Sequence, residues 1–69
     1  MRAAYKAELV RDWEAWYQSR KAELLETEYF PSLAAALDWL SPRLSETLSG
    51  YIYERNVAGD WEAVADLHN

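Results

Sequence analysis

Carboxylates set two residues apart come nearest to chemistry in this sequence. Glu26 and Glu28 form one pair, Glu54 stands nearby, and Asp60, Glu62 and Asp66 form a run near the end of the chain. An even spacing puts strand side chains on one face, so Glu26 would neighbour Glu28, and Glu62 would share a face with Asp66. Such pairs can serve as general acid and base when a cleft holds them apart in pKa. A chain of 69 residues has little room for a cleft. Without one, paired carboxylates are a solvated face.

Other catalytic groups are sparse. The single histidine, His68, is next to last in the sequence, where chains are usually frayed. No serine is placed beside it for nucleophilic work, and no cysteine or second histidine is present to build a metal site. The two glycines stand alone, so no phosphate-cradling loop is expected. These absences point away from an enzyme and leave no expected cofactor or metal.

The charge balance points to a partner instead. Twelve acidic against seven basic residues give a net charge of −5. Direct binding to nucleic acid or to an anionic membrane needs a basic patch, so both are disfavoured. Net charge of this size also serves solubility. Its sharper use is to complement a protein with a basic surface, on which Glu26, Glu28, Asp60, Glu62 and Asp66 would bear. Trp39 is the further candidate. Exposed, it would anchor a partner; folded over a sheet edge, it would be half-buried.

The elements that must hold these residues are organised around residues 30–48. Leu33, Leu37, Leu40, Leu44 and Leu48 fall on one helical stripe. Ser32 is placed to cap that helix, Pro31 ends the extended run before it, and Gly50 offers a stop. Pro42 interrupts the pattern: the helix either kinks there or ends near Leu40 and restarts with Ser41 as cap.

Residues 3–11 alternate like a strand, with Tyr5, Ala7 and Leu9 on one side, although Tyr5, Leu9, Trp13 and Trp16 also fit a helix. A turn at Arg11-Asp12-Trp13, a second strand from Trp13 to Gln18, a polar break at Ser19-Arg20-Lys21 and an extended run from Ala22 to Phe30 follow. In that run Leu25, Thr27 and Tyr29 would face one way. After the helix, Gly59-Asp60 signals a hairpin, with a short helix over Trp61, Val64 and Leu67 as the competing pattern. The expected fold is a single α+β domain spanning residues 1–69: a small antiparallel sheet with one central helix, about residues 32–48, packed on one face. The leucine stripe would meet Tyr5, Leu9, Trp61, Ala63 and Leu67. A domain this small buries only about 60% of its unfolded surface. A composition of 51% hydrophobic and 14% aromatic residues lets it fill a core without disulfides.

The charged N-terminus gives no signal peptide, no segment reaches the length of a membrane span, and the lack of cysteine suits a reducing cytoplasm. A short, acidic, cysteine-free chain with an N-terminal hairpin, a helix begun at Ser32-Leu33 and a closing hairpin resembles small proteins of phages and mobile elements. In size and layout it is similar to anti-CRISPR proteins. That resemblance carries no diagnostic motif and transfers no residue. It implies an inhibitor that binds a CRISPR effector complex without chemistry, in the host cytoplasm, often in a basic channel meant for nucleic acid. The alternative is a cellular interaction module, or a homodimer paired through an exposed strand edge.

Overall fold

The computed structural model describes residues 4–11 and 23–68. Strands β1 (Tyr5–Arg11), β2 (Glu23–Phe30), β3 (Leu48–Arg55) and β4 (Trp61–Leu67) form one antiparallel sheet in the order β2-β1-β3-β4. Helix α1 (Leu33–Leu40) joins β2 to β3 and packs on one face of the sheet. This is the α+β layout expected from the alternation in the two arms. The expected second strand, Trp13 to Gln18, and the turn at Arg11-Asp12-Trp13 lie wholly or largely outside the described residues. No helix among the described residues is long and apolar enough to cross a membrane.

The helix begins as its sequence predicts and ends sooner. The Ser32 hydroxyl accepts from the backbone N–H of Ala35 at 3.1 Å, which satisfies a donor of the first turn. The helix stops at Leu40, and Ser41–Arg43 form a single 3₁₀ turn with Pro42 near its start. Proline is tolerated there because the first turn has no use for its missing N–H. Leu44 and Leu48 therefore leave the helical stripe. A tight turn, with Ser45 and Leu48 exchanging backbone hydrogen bonds of 3.1 and 3.3 Å, delivers the chain into β3. Both leucines still reach the core from outside the helix.

Gly50 is not a helix stop. It lies inside β3, paired with Leu9 on one side and Leu67 on the other. Leu40 sits on it: a Cβ at Gly50 would fall 2.6 Å from the Leu40 Cγ. Leu40, Ala36, Ala7 and Ile52 are fully buried around this contact, with Leu9 close behind. Tyr5, Leu25, Phe30, Leu37, Ala65 and Leu67 close the rim.

Two bulges decide which side chains join them. The β3–β4 register passes from Ile52↔Ala65 to Tyr53↔Ala63, which leaves Val64 as an extra residue. An extra residue turns over the alternation, so Ala65 and Leu67 lie beneath the helix, while Trp61 and Ala63 face the other way. The β1–β2 register likewise skips Leu25, which packs with the core, whereas Thr27 and Tyr29 pair with Glu8 and Lys6 on the far face. These placements correct the expectations that Trp61 and Ala63 meet the helix and that Leu25 shares a face with Tyr29.

The closing hairpin forms as its turn signal predicts. Asn56 Oδ1 accepts from the N–H groups of Ala58 and Asp60, each at 2.9 Å, and Gly59 takes the left-handed conformation at φ 89° that a three-residue loop requires. Urea unfolding will test the Leu40–Gly50 contact. Gly50→Ala should cost about 1–3 kcal/mol through overpacking, and Leu40→Ala about 2–5 kcal/mol through a cavity. Combined, they should cost about 1 kcal/mol or more less than their sum, because the smaller residue makes room for the added methyl. Strict additivity would mean that the two side chains do not share this space.

Candidate functional site

The sheet has two unlike faces. On the side away from the helix, the registers gather Tyr29 of β2, Lys6 and Glu8 of β1, Tyr51, Tyr53 and Arg55 of β3, and Trp61 of β4. Trp61 reaches across this face towards the opposite edge strand, its ring centroid 6.0 Å from that of Tyr29. The Arg55 guanidinium lies 4.5 Å from the Trp61 ring centre, and Lys6 Nζ lies 5.2 Å from it and 4.8 Å from the Tyr53 ring. Cations held over ring faces are attracted by the ring quadrupole. Lys6 also pairs with Glu8 at 3.6 Å. Burial and the adjacent Glu8 carboxylate, which accepts from its hydroxyl, push the Tyr53 phenol above its ordinary pKa.

The helix side carries the surplus acid. Glu26 and Glu28 share that side of β2, as their spacing predicts, opposite the buried Leu9 and Ala7. Both are exposed, and neither has an ion-pair partner among the described residues. At the far end of the sheet Glu54 and Glu62 stand directly opposite each other, and Tyr5 donates to Glu54 at 3.3 Å. The neighbouring Glu54 charge, more than burial, raises the Tyr5 pKa.

The remaining expected site residues do not converge. The Val64 bulge separates Glu62, on the helix side, from Asp66, which pairs with Tyr51 on the other. The expected shared face of these two carboxylates is therefore absent. Asp60 sits in the hairpin turn, its backbone tied to Asn56 by hydrogen bonds of 2.8 and 2.9 Å. Trp39 is half-buried, not freely exposed. Its ring centre lies 5.8 Å from that of Phe30, and Arg43 covers it at 4.4 Å while donating to the Trp39 backbone carbonyl.

His68 does have a serine beside it, contrary to the reading of the sequence. Its Nδ1 lies 3.2 Å from Ser49 Oγ and its Nε2 lies 2.9 Å from Asp66 Oδ1. The trio joins the end of β4 to β3. Ser49 is only 6% exposed, so its hydroxyl is shielded from any carbonyl it would have to attack. Among the described residues no group of His, Cys, Asp or Glu could hold a metal ion. A shallow depression of about 300 Å³ over the β4 bulge is lined by Tyr51, Ala63, Val64, Ala65 and Asp66, mostly apolar surface with one phenol and one carboxylate.

No protein-family model matches the chain, and no curated protein or solved structure matches it.

The aromatic–cation cluster escaped the sequence reading. Its signal was present in part, as Tyr51, Tyr53 and Arg55 alternate on β3 and Lys6 on β1. Only the bulge brings Trp61 onto the same face. The raised Tyr53 pKa has a consequence at high pH. The unfolded phenol releases its proton near pH 10 and the folded one later, so the stability it contributes is complete below pH 10 and lost above it. Ultraviolet titration should show late-ionising tyrosines in the folded protein, and Glu8→Gln should bring one back towards the ordinary value. An unchanged titration curve would sever the Glu8–Tyr53 link.

Proposed function

We propose that the chain is a small, non-enzymatic acidic binding protein of the anti-CRISPR kind. Its carboxylates would stand where phosphates bind in a basic channel of an effector complex in the host cytoplasm. One observation carries this reading: each cation among the described residues is already engaged. Lys6 and Arg11 pair with Glu8 and Glu23 at 3.6 and 3.2 Å, and Arg43 and Arg55 lie over Trp39 and Trp61. Glu26, Glu28, Asp38, Glu46, Asp60 and Glu62 have no such partner among those residues. A cation over a ring keeps its charge, but the six unpaired carboxylates outnumber these two arginines, so the surface charge offered to a partner is acid, and strongest where Glu26 and Glu28 lie side by side.

Strand-edge pairing is the weaker alternative. Both edge strands carry a bulge, at Leu25 in β2 and at Val64 in β4. A bulge interrupts the ladder that an added strand would continue.

The test is competition with nucleic acid on a purified CRISPR effector complex, read by gel mobility shift. The protein should displace target DNA, and the effect should weaken as salt rises. Glu26→Lys with Glu28→Lys should reduce displacement about tenfold or more, because charge reversal turns attraction into repulsion at the closest pair. Displacement that ignores both salt and charge reversal would refute the acidic-face mechanism. Failure to bind effector complexes of any type tried would refute the choice of partner.

A further inference from the structure

We infer that the sheet face opposite the helix is a homodimer interface, on which a second copy of this chain packs face to face. Three observations support it. The face collects Tyr29, Tyr51, Tyr53, Trp61 and Arg55, the residue types that anchor protein–protein contacts. Tyr29 is 56% exposed there, so one of its largest side chains is uncovered.

Charge selects the occupant. The helix side is acidic, and two such sides would repel each other. The opposite face is balanced, with Lys6 and Arg55 against Glu8 and Asp66. A twofold contact sets a patch against itself, so only a balanced patch suits it. This is the face on which two chains of net charge −5 can meet.

The size is sufficient for a modest affinity. Four strands of seven or eight residues, at about 3.3 Å per residue and about 4.8 Å between strands, present roughly 500 Å² per copy. Two copies would bury about 1,000 Å², the lower bound for a specific interface and the size of weak, reversible contacts. Face-to-face packing leaves both acidic helix sides outward. It also differs from edge pairing, which would use the backbone of β2 or β4 instead of ring faces.

Sedimentation velocity on the full chain, from low to high micromolar, decides it. The expected result is a reversible shift from 8.0 kDa to twice that mass. Tyr29→Glu changes an exposed side chain on this face and should weaken the dimer about tenfold or more. Val64→Lys, at an exposed position on the β4 edge, should leave it intact. Circular dichroism on each variant confirms the fold. A monomer throughout the concentration range would overturn the inference without any variant. So would a dimer that Tyr29→Glu leaves unchanged, or one that Val64→Lys abolishes. Because no effector complex is present, the outcome is separate from that of the displacement assay.

Discussion

Leu40 needs a place to go, and Gly50 is the place. The helix carries two fully buried side chains, Ala36 and Leu40, and only Leu40 is large. To bury it, the helix must approach the sheet closely, and any side chain at position 50 would hold it off. A missing side chain in a strand interior normally weakens the strand. Here the loss is offset by the burial of a leucine over Gly50, which pairs with Leu9 of β1 on one side and Leu67 of β4 on the other. Pro42 fits the same geometry. Ending the helix at Leu40 lets the chain turn down at once through Ser41–Arg43 and re-enter the sheet beside the residue that Leu40 covers.

Once that contact sets the position of the helix, the bulges set everything else. Without the extra residue at Val64, strict alternation would keep Trp61, Ala63, Ala65 and Leu67 on one face, so burying Ala65 and Leu67 would send Trp61 under the helix as well. With the bulge, Trp61 crosses the outer face and collects Arg55, Lys6 and Tyr29. The same turnover parts Glu62 from Asp66. One inserted residue thus divides the protein into an acidic side and an aromatic, charge-balanced side.

This explains how much of the fold could be read from the sequence. Period-two alternation exposed β1, β2, β3 and β4, and the Ser32 cap and the Gly59-Asp60 turn signal were written in local residue types, whereas the part Asn56 plays in that turn was not. The bulges were not, because Leu25 and Val64 are ordinary strand residues and no glycine marks either site. Gly50 was visible but ambiguous: glycine punctuates helices and also makes room for close approach, and only the position of Leu40 separates the two. The leucine stripe ran past its true end because Leu44 and Leu48 reach the core from non-helical backbone at positions where a helix would also have placed leucines. For the site, the Glu26–Glu28 pair was legible because β2 keeps its alternation between them. The contact of His68 with Ser49 was not, since it depends on the register of two strands and a sequence separation of 19 residues.

The acidic pair on β2 has a second physical meaning that bears on its first. Glu26 and Glu28 lie on the helix side of an edge strand, opposite core residues Leu9 and Ala7. Charges on the inward side of an edge are a common device against edge-to-edge aggregation, because a strand added there would bury them. Lysine would serve that purpose as well as glutamate. Edge protection accounts for charge at these two positions without accounting for its sign. The sign is what a basic partner would select, and it recurs at Asp38, Glu46, Asp60 and Glu62, none of which lies on the β2 edge. Protection of the sheet explains three of these six carboxylates, because Glu62 lies on the helix side of the other edge strand, β4. The proposed encounter with a basic partner would account for the sign at all six.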